Sequence, residues 1–357
     1  MNKTRLVLVG GFLGTGKTTL LLRAARHLSE QNYRVAVVTN DQGQQLVDTG
    51  FLADQAIPLQ EVAGGCFCCR FPDLLSSLRR LRDEVQPNVI LAEPVGSCTD
   101  LIATVLRPIM RYHPDEFDVA PLTVLHDPQR AIDAFESTVG YLYDRQLMEA
   151  EVIALSKSDL RNESAESAAR RRLQRTYPGA KLMSLSARTG EGIAEWVEHV
   201  LRQPARRTTA LDIDYATYAD AEASLGWLNT RLDLVASPSL SPALWITDLL
   251  TSLSEIFAAN RMAVAHLKVY LKTPQAAYKA SLTQNGLPSF VDGDVRDLAT
   301  DRAAVTLNAR VSAAPEYLRA IVQETLTETC ARFDARFSTT HIECFSPLPP
   351  EPTFRLM

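Results

Sequence analysis

Leu6–Val9 is an unbroken apolar run, followed by glycines, Lys17 and a helix-spaced stretch reaching about Ser29. Comparable apolar runs recur at 34–39, 88–93, 122–125, 152–155 and 181–185, with helix-period segments at 73–85, 129–136, 164–176 and 192–202. Strands that are apolar throughout need cover on both faces, and strands alternating with helices build a mostly parallel sheet. The first 205 residues are therefore expected to form an α/β unit, a mostly parallel sheet flanked by helices.

The pattern changes at Gln203–Thr209, where a linker is expected. Beyond it the apolar positions alternate over longer runs, at 223–234, 266–271, 278–283, 304–311 and 340–345, with a turn at 237–242. Two long helical patterns, 244–259 and 316–333, interrupt them. This order suggests a smaller C-terminal α+β unit, roughly β-α-β-β-β-α-β over 206–345, with both helices on one face. Pro347, Pro349, Pro350 and Pro352 make 346–357 an extended tail.

With 357 residues, the length by itself calls for two or three units. Charged residues are 22% and the net charge is −5, which gives no general attraction to nucleic acid or anionic membrane. No apolar run approaches the roughly 20 residues needed to span a bilayer, and Leu6–Val9 is too short for a signal-peptide core. A cytoplasmic protein is expected, with oligomeric state left open. Six cysteines are too few for a disulfide scaffold at this length, and three of them fall within four positions.

Gly11-Phe-Leu-Gly14-Thr15-Gly16-Lys17-Thr18 fits G-x-x-x-x-G-K-[ST], between a strand and a helix that continues with Thr19. The glycines let backbone N–H groups turn inward onto phosphate oxygens. Lys17 reaches the β- and γ-phosphates, and the Thr18 hydroxyl can ligate Mg²⁺. After the apolar run 152–155, Ser156-Lys157-Ser158-Asp159 resembles the N-K-x-D loop of P-loop GTPases, with Ser in place of Asn. An aspartate there accepts from guanine N1–H and the 2-amino group, donors that adenine lacks. Ser186-Ala187-Arg188 resembles the S-A-K segment that completes such a guanine site.

Gly64-Gly65-Cys66-Phe67-Cys68-Cys69 is a candidate metal loop. Thiolates are soft ligands suited to Zn²⁺, Co²⁺ or Cu(I), and three sulfurs leave a tetrahedral ion one position short, as suits a transfer site. His27, His113, His126, His199, His266 and His341 are scattered and suggest no further metal tract. Cys330 and Cys344 are assigned to core packing, and the arginine pairs and triplet to solvated faces.

With both loops in hand, the chain resembles the CobW branch of the CobW/HypB/UreG group of metal-handling P-loop GTPases. The matching pieces are 10–19, Asn40-Asp41-Gln42-Gly43, the cysteine run, Glu93-Pro94-Val95-Gly96 and 156–159. The resemblance implies a GTPase of slow intrinsic turnover that binds GTP and Mg²⁺. It also implies delivery of a transition metal, zinc or cobalt, to a client protein or cofactor pathway. Carried over by position, Thr18 and Glu93 organise Mg²⁺ and Gly96 donates its N–H to the γ-phosphate. Lys17, Asp41 and Glu93 are the catalytic candidates, with Asp41 standing where the family usually has Glu. The alternatives are a metal-sensing regulatory protein with little turnover and a P-loop small-molecule kinase. The metal and the client are not named by the sequence.

Overall fold

A computed structural model describes residues 3–42, 47, 57–130, 135, 137–206, 210–286, 290–292 and 298–357. The described strands form two sheets, and the first is built from parallel pairs. Its strands are β1 (Thr4–Gly11), β2 (Val35–Asp41), β3 (Leu59–Ala63), β4 (Val89–Glu93), β5 (Phe117–Val119), β6 (Thr123–His126), β7 (Val152–Leu155) and β8 (Lys181–Ser184). Their order is β3-β2-β4-β1-β6-β7-β8, with β5 paired to the first half of β1. β1 is buried along its whole length, as a strand covered on two sides must be. The strand order reverses direction at β1. Ligands of open parallel sheets bind outside the strand C-termini at such a point, and here the loop after β1 carries Lys17.

Helix α1 (Lys17–Glu30) starts directly from that loop, α2 (Phe71–Glu84) from the cysteine loop. A π-helical turn, Ile102–Leu106, leads into α3 (Arg107–Tyr112). The helix before β7 is α4 (Ser137–Glu149), C-terminal to the stretch 129–136 where periodicity placed one; 131–134 and 136 lie outside the described residues, as do Gly43 and 207–209. α5 (Glu163–Thr176) and α6 (Ile193–Arg202) complete the first layer set. β3 and β5 escape a reading based on apolar runs for simple reasons. β3 is an edge strand carrying Gln60 and Glu61, and β5 is three residues long.

The second sheet has the order β12-β11-β10-β13-β9-β14, and its pairs are antiparallel. These strands are β9 (Gly226–Leu240), β10 (Val264–Lys272), β11 (Ala277–Leu282), β12 (Phe290–Asp292), β13 (Thr300–Val311) and β14 (Ala335–Phe345). Helices α8 (Pro242–Ala259) and α9 (Pro315–Arg332) pack on each other and on one face of this sheet, around Trp245, Leu249, Phe257 and Val322. The turn expected at 237–242 begins later than the pattern suggested. β9 stays extended to Leu240 because β14 and β13 flank it, and the register with β13 slips between Val235 and Leu240. Pro238 sits in that slip, where a residue without an N–H costs no ladder bond.

One further helix, α7 (Tyr215–Ala223), carries little periodicity and was not anticipated. Asp214 caps it by accepting from the N–H groups of Ala216 and Thr217. Its buried Tyr218 and Ala221, with Ile213, Leu225 and Trp227, belong to the core of the first sheet. The chain therefore returns to the first core after residue 205 before entering the second sheet.

Candidate functional site

Four loops stand side by side where β3, β2, β4 and β1 end. Parallel pairing aligns Thr39 with Glu93 and Asp41 with Ala63, so the two acidic strand ends and the cysteine loop share one edge. With strands about 4.8 Å apart, the cysteine loop lies three strands, roughly 14 Å, from the phosphate loop.

The phosphate loop uses left-handed backbone at Gly11, Gly14 and Gly16. At Gly11 a Cβ would stand 2.7 Å from the Leu125 carbonyl, so the site admits only glycine. The Lys17 ammonium is buried, donates to the carbonyls of Gly11 (2.8 Å) and Phe12 (3.3 Å), and lies 3.9 Å from Glu93 Oε1. A Cβ on Gly96 would sit 3.0 Å from Lys17 Nζ, which brings the backbone of the 93–96 segment against the same ammonium. Lys17, Thr18, Thr19, Asp41, Glu93 and Gly96 line one cavity of about 80 Å³. Its donors include a hydroxyl and carboxylates, hard oxygens of the type Mg²⁺ takes.

A second cavity of about 130 Å³ adjoins it, bounded by Thr15, Ser156, Lys157, Asp159, Ser186, Ala187 and Arg188. Lys157 adopts φ 59°, and its ammonium is held 2.7 Å from Asp127 Oδ2. Ser186 Oγ donates to Asp159 Oδ1 (2.6 Å), and Arg188 stands 3.8 Å from the other oxygen. Buried Ser156 turns its hydroxyl to the His126 carbonyl (3.3 Å). The two sequence-predicted base segments thus meet on one carboxylate.

The thiols of Cys66, Cys68 and Cys69 converge to within 4.8 Å of one another. Gly64 and Gly65, both at positive φ, turn the chain into this loop, and the N–H groups of Cys69 and Arg70 close it onto the Cys66 carbonyl. The neighbouring thiols donate to Cys66, chiefly Cys68, and hold it well below the usual thiol range. The same bonds raise the partners: Cys68 rises, and Cys69 is pushed up to about 12 by its bond to Cys66. Fully buried Cys98 also reaches this group, its own thiol raised by burial. Around it stand Glu222, pushed up to about 8 by burial, and the Ser97 hydroxyl that donates to it. The tail crosses the loop: the N–H of Glu351 donates to Cys69 Sγ (3.2 Å) and that of Thr353 to the Cys68 carbonyl (2.9 Å).

Asn40 joins the pieces. Its amide donates to the carbonyls of Val62 and Gly65 (both 2.7 Å), and its oxygen accepts from Phe67 N–H (2.8 Å) and Val95 N–H (3.4 Å). One buried side chain therefore ties the cysteine loop to the 93–96 segment, next in sequence to Asp41. Asp41 itself is gripped by fully buried Arg310 of β13, at 3.0 and 3.3 Å. Arg310 also lies over the Trp227 ring, 4.2 Å from its centroid. Sequence reasoning missed these roles of Asn40 and Arg310. An apolar strand carrying a lone arginine, as 303–311 does, was the available signal.

This architecture defines a P-loop nucleotide-binding protein with a cluster of thiols beside the strand ends that carry Asp41 and Glu93. The chain belongs to the CobW/HypB/UreG family, whose nucleotide-binding domain matches residues 5–184. Among curated relatives it is 32% identical over 171 residues to the zinc chaperone YeiR of Escherichia coli K12, covering 47% of this chain and 51% of YeiR. It is 38% identical over 105 residues to the zinc chaperone YjiA of the same strain, covering 28% of this chain and 32% of YjiA. The chain thus spans about half the length of the curated relatives it matches, or less. Among solved structures, HypB of Helicobacter pylori with nickel aligns over 56% of this chain and 86% of its own at 19% identity and TM-score 0.42. Zn(II)-bound YjiA of E. coli aligns over 91% and 99% at 16% identity and TM-score 0.38. Among the described residues no helix is long and apolar enough to cross a membrane.

Proposed function

We propose that this protein hydrolyses GTP and uses the cycle to acquire and hand over a transition metal, zinc or cobalt, at Cys66, Cys68 and Cys69. The observation that carries the reading is the Asn40 side chain, bonded at once to the cysteine loop and to the segment that faces the γ-phosphate position. A change in the 93–96 segment on hydrolysis is transmitted to the thiols through one rigid amide. The names of YeiR and YjiA as zinc chaperones support zinc as the cargo. The receiving client is a metalloprotein or a cofactor-synthesis enzyme, and no membrane or nucleic acid is required. The proposed site of action is the cytoplasm. The packing of Ile213–Trp227 supports moving the boundary between the two units from 205 to about 225.

In hydrolysis, a water oxygen bonds to the γ-phosphorus, the bond to the β,γ-bridging oxygen breaks, and GDP leaves as inorganic phosphate forms. Lys17 offsets charge on the transferring group, and the Gly96 N–H is the backbone donor we assign to it. Asp41 is committed to Arg310, so Glu93 is the carboxylate we assign to orienting water. Thr18 and Glu93 would hold Mg²⁺, which when bound screens the β- and γ-phosphate charge.

The test uses Co²⁺, whose thiolate complexes absorb by charge transfer. Titration into wild-type protein should give different affinities with GDP and with a non-hydrolysable GTP analogue. In Asn40→Ala the two curves should coincide. Coincident curves in the wild type itself would leave a static metal site and remove the coupling.

Asp159 supports guanine over adenine, because its carboxylate is presented to the base cavity by Ser186. Asp159→Ala should weaken GTP binding by about 1.5–3 kcal/mol, the worth of a hydrogen bond to a charged group, and leave ATP binding unchanged. Calorimetry showing equal GTP and ATP affinity in the wild type would contradict the assignment.

A further inference from the structure

The hairpin β10–β11 has two unlike faces. Leu267, Val269, Leu271, Tyr278, Ala280 and Leu282 point into the core beneath α8 and α9. The alternate positions are polar, and in a free-standing unit they would face water. Here they face the nucleotide cavities: His266, Lys268, Lys279, Ser281 and Thr283 line the phosphate cavity, and Ser281 and Thr283 also line the base cavity. His266 and Lys279 are consequently only 4% and 5% exposed. Contact with the loop is close, since a Cβ on Gly14 would stand 3.1 Å from the Ala265 carbonyl and 3.2 Å from Thr283 Cβ. Arg130 seats the hairpin by donating to the carbonyls of Val264, Ala265 and Thr283 while lying over Phe12. Lys157 completes the seam, 3.4 Å from Thr283 Oγ1.

The hairpin register pairs Lys268 with Ser281 and Tyr270 with Lys279, so the two lysines are diagonal neighbours on one face, about 7–8 Å apart. Together with Lys17 they line one cavity, and the described residues around it also include Asp41 and Glu93. An ammonium is a compact donor of the kind phosphate oxygens accept from, and two of them reach the phosphate-loop cavity from the second sheet.

We propose that Lys268 and Lys279 bind the terminal phosphates of the nucleotide, so that the C-terminal sheet completes the triphosphate site within the same chain. This rests on the nucleotide-binding reading of the phosphate loop and extends it to the second unit. The seating of that unit then depends on the number of phosphates present, because a diphosphate offers these ammonium groups fewer oxygens to bind.

The test compares GDP with guanosine 5′-(β,γ-imido)triphosphate by calorimetry on the full chain. In Lys268→Gln/Lys279→Gln, affinity for the imido analogue should fall by at least about tenfold per lysine, while GDP affinity changes threefold or less. Lys268→Arg/Lys279→Arg should keep the preference for the triphosphate, since charge is what is read. Lys268 is only half-buried, so Lys268→Gln alone carries the test if the double variant unfolds; its triphosphate affinity should fall at least fivefold. Equal losses for both nucleotides, or none, would overturn the inference while leaving the phosphate loop as the nucleotide site. A wild type that binds neither nucleotide would instead overturn the nucleotide reading itself, and this inference with it.

Discussion

Cys66→Ser is expected to abolish the Co²⁺–thiolate absorption band at metal concentrations that saturate the wild type. Cys66 is the hub of the cluster: Cys68 and Cys69 lie 2.6 and 3.1 Å from its sulfur but 3.8 Å from each other. It is also the thiol whose ionisation the others favour, so it is the first anion available to an incoming ion. Loss of an outer partner of a metal ligand costs 10–100-fold in affinity, and loss of this ligand should cost about hundredfold or more. The pH dependence follows from the raised partners. Cys68 and Cys69 keep their protons at neutral pH, and Cys69 does so up to about 12. An ion that takes their sulfurs must displace those protons, so affinity rises with pH. The slope should be about one to two decades per pH unit, according to whether one or both thiols join. Titrations of wild type and Cys66→Ser at several pH values read both effects. An unchanged band in Cys66→Ser, or affinity flat with pH, would exclude the three-thiol site.

Asp41→Ala should destabilise the protein by about 3–5 kcal/mol, far more than a surface acid would. Arg310 is wholly buried, and Asp41 is one-fifth exposed. The carbonyls of Leu228 and Ala309 and the Asn229 side chain accept from the guanidinium, but Asp41 is the carboxylate that answers its charge. Removing it leaves a buried cation uncompensated. Urea unfolding followed by tryptophan fluorescence is suited to this, because Trp227 stacks on Arg310 and senses the site. Adding Arg310→Met to Asp41→Ala should recover part of the loss, since the buried charge goes with it. A cost below about 1 kcal/mol for Asp41→Ala would mean that the pair does not join the two sheets energetically.

The readings that succeeded depended on short-range chemistry. A glycine loop between a strand and a helix needs only its own residues to be recognised, and so do three cysteines within four positions. Segments whose partners are distant escaped. Helix α7 has no apolar stripe of its own because it is completed by the first core, and β3 is polar because it is an edge. Asn40 looked like one letter of a motif, yet its four hydrogen bonds reach residues 22 to 55 positions away.

Most of the strand and helix order, the phosphate-loop motif, the segments 156–159 and 186–188 and the thiol run are legible from residue type and spacing alone. Local propensity and period-two or period-3.6 patterning suffice for these. The alternation along 264–272 and 277–283 likewise marks a two-faced hairpin, but alternation says only that one face is polar. Whether that face meets water or another sheet is set by how the two units pack. Only the tertiary structure turned Lys268 and Lys279 toward the phosphate-loop cavity and Arg310 toward Asp41, because contacts between residues more than a hundred positions apart leave no periodic trace in either segment.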